Sequence, residues 1–134
     1  MTVIRRLSLP AVSLALPLAL AAGAVTAGPA LAQGGGVRVA GSCSASSDWK
    51  LKATADNNRL EVEFEVDSNV VGQIWAWQLL DNGAQVARAS SVTAAPSGSF
   101  SVRRLIADRA GTDSVRFRAT NAGTGESCTG LVRV

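Results

Sequence analysis

The chain has 134 residues, with 13 Lys and Arg against 10 Asp and Glu, two cysteines and no histidine. That inventory excludes a Cys/His zinc site, a Cys/His nucleophile and a Ser/His/Asp triad, and it points away from catalysis. The formal net charge of +3 includes Arg5 and Arg6 near the N-terminus, so the rest of the chain is close to neutral and exerts no global pull on nucleic acid or anionic membrane.

Arg5 and Arg6 form a short positive region, and residues 7–22 are apolar apart from Ser and Pro. "GPALAQ" then offers an A-x-A-like site ending at Ala32. Together these features predict a secretory signal peptide over residues 1–32, removed on export. Pro10 and Pro17 interrupt the apolar run and argue against a retained membrane anchor. Cleavage leaves a flexible "QGGG" linker at 33–36 and about a hundred residues at 37–134, the size of one domain. An exported, extracellular chain meets oxidising conditions, so Cys43 and Cys128 are expected to pair in a disulfide.

Strand-like segments alternate with turn signals from residue 37 onward, and no helical period competes. A strand is expected at 37–43. "DWKLKATADNNRLEVEFEVD" reads as a hairpin turning at Asn57 and Asn58. In that register Trp49, Leu51 and Ala53 face Val66, Phe64 and Val62, while Lys50 and Lys52 face Glu65 and Glu63. Asn82 and Gly83 predict a tight turn between strands at about 73–80 and 84–92, which sets Leu79 opposite Val86, Gln78 opposite Ala87 and Trp77 opposite Arg88. A further strand is expected at about 98–106. The last hairpin, looping at 122–125, places Val115 opposite Val132, Phe117 opposite Gly130 and Ala119 opposite Cys128. Cys128 then points inward, and Cys43 shares the inward parity of Val37 and Val39.

The segment "LIADRAGTDSVRFRATNAGTGES" resembles the stretch that carries fibronectin type III and bacterial Ig-like domains from their fifth strand, across a Gly-Thr turn, into the sixth strand and final hairpin. Where many such domains place a corner tyrosine, Asp113, Ser114 and Val115 stand here, and the chain has no tyrosine. The whole sequence also resembles small exported proteins of the Ala- and Arg-rich actinobacterial type. The fold implied is an all-β, two-sheet antiparallel sandwich with one disulfide. Its sheets would contain the strands at 49–55, 59–66 and 98–106, and those starting at 73, 84, 113 and 127.

Three constellations are candidate sites. Trp75 and Trp77 in "IWAWQLL" share one strand face, as core residues or as an exposed platform with Arg88 in cation–π reach. The core reading takes precedence because sandwiches of this kind bury a Trp on that strand. Ile74 and Leu80 on the opposite face keep the platform open, and some carbohydrate-binding modules are similar in size, cysteine placement and tryptophan number. Arg116, Arg118 and Arg133, with Gln78 and Thr129 nearby, project from the outer face of the second sheet, either as an anion-binding patch or as a solvated surface. "TAAPSGS" at 93–99 is the one loop suited to a secreted hydrolase inhibitor. Glu61, Glu63 and Glu65 lie on an uncleft sheet exterior opposite lysines and read as solvated, and "DNG" and "AGTGES" have neither calcium-loop nor phosphate-loop context. The sequence thus predicts a secreted, monomeric, non-enzymatic binding module without metal or cofactor, whose partner is an extracellular or cell-wall polymer or protein.

Overall fold

The computed structural model describes residues 36–134; the expected signal peptide at 1–32 and residues 33–35 of the linker lie outside the described residues. Eight strands follow in order: β1 (Val37–Ser42), β2 (Asp48–Asp56), β3 (Arg59–Asp67), β4 (Ile74–Asp81), β5 (Ala84–Val92), β6 (Ser99–Ala107), β7 (Ser114–Asn121) and β8 (Ser127–Arg133). They form two antiparallel four-stranded sheets, ordered β1-β2-β3-β6 and β5-β4-β7-β8. The sheets pack as a sandwich, and the Cys43–Cys128 disulfide joins them at one side.

Alternation of apolar and polar residues produces this arrangement, because successive side chains on a strand point to opposite faces. On β3, Leu60, Val62, Phe64 and Val66 are buried, whereas Glu61, Glu63 and Glu65 point outward. On β7, Val115, Phe117 and Ala119 are buried, leaving Arg116 and Arg118 outside. The turns carry residues that tolerate positive φ. Asn57 and Asn58 stand at 47° and 65°, Asn82 and Gly83 at 50° and 85°. The β2–β3 and β7–β8 registers match those expected from the pattern, pair for pair.

The β4–β5 register differs. Asp81 faces Ala84 and Leu80 faces Gln85, but Leu79 faces Ala87, so Val86 is an extra residue on β5. Beyond this bulge Gln78 faces Arg88 and Trp77 faces Ala89, correcting the expected Trp77–Arg88 and Gln78–Ala87 pairs. The physical reason lies in Arg88 itself. An unbroken ladder would turn its guanidinium toward the core, and one inserted residue moves it to the solvent face. The cation over Trp77 is instead Arg104 of β6, with its guanidinium carbon 5.2 Å from the ring centre.

The core is aromatic at its centre. Phe64 of β3 and Phe117 of β7 stack across the sandwich at 4.7 Å and 8°, and Trp77 meets Phe64 edge-on at 5.4 Å. Trp49 is half-buried beside Phe117, over two residues without side chains, Gly41 and Gly130. A Cβ on Gly130 would stand 2.5 Å from Phe117 Cε1 and 2.6 Å from Trp49 Cζ3, so this glycine is required by contact rather than by backbone angle.

Candidate functional site

Trp75 and Trp77 are 0% and 4% exposed, and each indole N–H is satisfied internally, by Gln73 Oε1 at 3.3 Å and Ser91 Oγ at 3.0 Å. They therefore present no ring face to a ligand, and Arg88 lies on the other face of the sheet. Ala94–Ser99 is a compact turn closed by the Ala94–Ser99 bridge and by Gly98 N–H donating to Ala94 O at 2.9 Å. Its base is held by buried Thr93, which donates to Val70 O at 2.6 Å and accepts from Gln73 N–H at 2.8 Å.

The arginines do share one face. Cross-strand pairing sets Arg88, Gln78, Arg118 and Thr129 in one row across β5, β4, β7 and β8. The next row holds Gln85, Leu80, Arg116 and Leu131, and Arg133 pairs with Ser114 beyond it. Strand rise and spacing put Arg116 about 7 Å from Arg118 and Arg88 about 10 Å from it at the backbone, so Arg88, Arg118, Arg116 and Arg133 form a diagonal band about 20 Å long. Arg118 is shared by two shallow depressions. One of about 600 Å³ contains Arg116 and Arg133, and one of about 240 Å³ contains Arg88 and Gln78.

Charge separates the two outer faces. The first sheet carries Glu61, Glu63 and Glu65 between Lys50 and Lys52 on one flank and Arg103 on the other, and Arg103 Nη2 contacts Glu61 Oε2 at 2.6 Å. On the second sheet the outward positions carry no carboxylate, and none of its four arginines is ion-paired among the described residues. Arg88 escaped the sequence reading because its membership depends on the bulge. The signal was the conflict between its charge and its expected place opposite Trp77. At the end of the same face away from Arg133, Ile74 and Val92 pair across β4 and β5, 54% and 56% exposed, next to exposed Val70 and Val71.

Two polar clusters close the ends of the sandwich. Near the β4–β5 turn, buried Asp113 accepts from Asn82 Nδ2 at 3.0 Å and from Arg109 N–H at 3.1 Å. Its backbone exchanges two 2.9 Å bonds with Val134. Asp81 beside it is 1% exposed, with neither carboxylate oxygen hydrogen-bonded, and Arg109 Nε lies 3.6 Å away. Burial, then the charge of Asp113, raise the Asp81 carboxyl above its ordinary value. Among the described residues, no group of His, Cys, Asp or Glu has the arrangement to hold a metal ion. At the opposite end, Glu126 accepts from Ala45 N–H at 3.0 Å, Ser47 N–H at 2.9 Å and Ser47 Oγ at 2.6 Å. Burial opposes its ionisation, but these bonds outweigh it and hold the carboxyl below the ordinary glutamate value.

No protein-family model, curated protein or solved structure matches the chain.

Proposed function

We propose that this chain is a secreted, non-enzymatic binding module of the Ig-like or fibronectin III-like class that captures an anionic partner on the outer face of its second sheet. One observation carries the reading: Arg88, Arg116, Arg118 and Arg133 share a face that holds no carboxylate, while the carboxylates of the strand exteriors lie on the other sheet. A solvated face in a nearly neutral domain would mix its signs, as the first sheet does. Arginine is also the side chain whose planar fork matches carboxylate, sulfate and phosphate oxygens. The class assignment is supported by the strand order, with β2-β3-β6 opposite β5-β4-β7-β8 and β1 added at an edge. Export is supported by the N-terminal pattern and by the disulfide, which persists in oxidising compartments.

Chromatography of the mature protein on dextran sulfate, with neutral dextran as control, tests the reading. The parent is expected to bind only the sulfated matrix, and the Arg116→Ala/Arg118→Ala variant to elute at distinctly lower salt. Its stability should stay within about 0.5 kcal/mol of the parent, because both side chains lie outside the core. Elution of the variant with the parent would overturn the reading.

A further inference from the structure

The geometry points to a linear acidic polysaccharide as the ligand of the arginine band, lying across the strands from Arg133 to Arg88. This rests on the anion-binding reading above and adds to it the shape and chemistry of the partner. A compact anion would be caged by donors rooted close together, whereas the backbones of these four arginines stand about 7 to 10 Å apart along a diagonal. The two depressions flanking Arg118 continue each other along that diagonal. An extended chain bearing an acidic group at each short interval satisfies several cations at once without bending.

The residues between the charges select among linear polyanions. Gln78, Gln85, Thr129 and Ser114 interleave with the arginines, offering amide and hydroxyl groups to ring hydroxyls. No aromatic residue stands at an outward position of these four strands, so neutral sugars gain no stacking surface and nucleobases gain no platform. Recognition is left to acidic groups and hydroxyls on one polymer. Carboxylate and sulfate share the chemistry the arginines read, and either can supply it.

Titration calorimetry with oligogalacturonates of increasing length, and with a sulfated heparin octasaccharide in a second arm, tests this inference. Affinity is expected to climb steeply from monosaccharide to octasaccharide, then level off once the band is spanned. Arg88→Ala and Arg133→Ala, at the two ends, should each weaken an octasaccharide about three- to tenfold, the scale of one net hydrogen bond, while leaving a disaccharide held by Arg116 and Arg118 unaffected. Tighter binding in the galacturonate arm assigns the acidic group as carboxylate, and in the heparin arm as sulfate. Arginine-dependent binding that ignores length would overturn the polysaccharide while leaving the anion-binding reading in place. So would equal affinity for a single-stranded oligonucleotide of the same charge. Loss of octasaccharide binding in Ile74→Ser/Val92→Ser would also overturn it, since those side chains lie off the band and would serve a protein partner. Binding that survives Arg116→Ala/Arg118→Ala would remove both.

Discussion

Asp81 shows what a single buried carboxylate does to this domain. Its parity with Trp75, Trp77 and Leu79 sends it inward, and it ends beside Asp113 with no hydrogen bond to either oxygen. A carboxyl whose folded value is raised holds its proton more tightly in the folded protein than in the unfolded chain. Its contribution is therefore fully present below the unfolded value and is lost as pH rises through the folded one. Asp108 acts in the same direction, raised chiefly by the neighbouring Asp113 carboxylate. Glu126 has the opposite sign, since its lowered value gives stability that is lost as pH falls through it. Asp81→Asn is expected to raise the melting temperature at neutral pH by a few degrees, the equivalent of about 1 kcal/mol in a domain of this length. The gain should shrink as pH falls toward the ordinary aspartate range. Melting curves across that range check it, and a gain that grows toward acid would show the sign to be wrong. Parity made the inward direction of Asp81 readable in the sequence. The company of Asp108 and Asp113 was not, because it is assembled from two turns distant along the chain.

At the scale of strands, legibility followed the strength of the pattern. In β2–β3 both faces constrain the register, apolar against apolar and Lys against Glu, and in β7–β8 the inward Cys128 and the small Gly130 opposite Phe117 do the same. On β5 only Ala87 is half-buried among the residues near the turn, so the pattern is weak, and counting from the Asn-Gly turn missed the inserted Val86. The consequence reached the site, because the bulge brings Arg88 to the arginine face. Deleting Val86 removes the extra residue and leaves an unbroken ladder in which Arg88 still faces Gln78 and stays on the solvent face. The deletion variant is therefore expected to keep parental binding to dextran sulfate, with a stability change under about 1 kcal/mol. Loss of binding in that variant would mean that the local bend of the bulge, and not the pairing of Arg88 with Gln78, presents the arginine. Truncating Trp77 to Ala should cost more, about 3 to 5 kcal/mol, because it removes the ring packed edge-on to Phe64 at the centre of the sandwich. Urea unfolding compares the two variants directly.

For the molecule as a whole, the two sheets meet covalently at one side, where the end of β1 reaches β8. The disulfide closes a loop of 85 residues, for which the chain-entropy account gives about 4 to 5 kcal/mol, with smaller values common in practice. It does not act alone there. Ser44 N–H donates to Ser127 O at 2.8 Å, Ser127 N–H to Ser44 Oγ at 2.9 Å, and the Glu126 carboxylate holds Ala45 and Ser47. Because β1 pairs with β2 alone, these contacts and the disulfide are what keep its far end against the second sheet. Two ties on one segment should couple, since the first to form orders the residues the second must hold. Cys43→Ser/Cys128→Ser is therefore expected to unfold at lower denaturant by a few kcal/mol while keeping its fold, the Glu126 contacts remaining. Adding Glu126→Gln to that variant should release β1 selectively. Amide exchange at 37–47 would become fast while β3, β4 and β7, which carry the central aromatic core, stay protected. The same Glu126→Gln in the disulfide-bonded protein should leave β1 protected. If the triple variant instead loses protection evenly across both sheets, β1 is integral to the cooperative core and not a strand pinned to its edge.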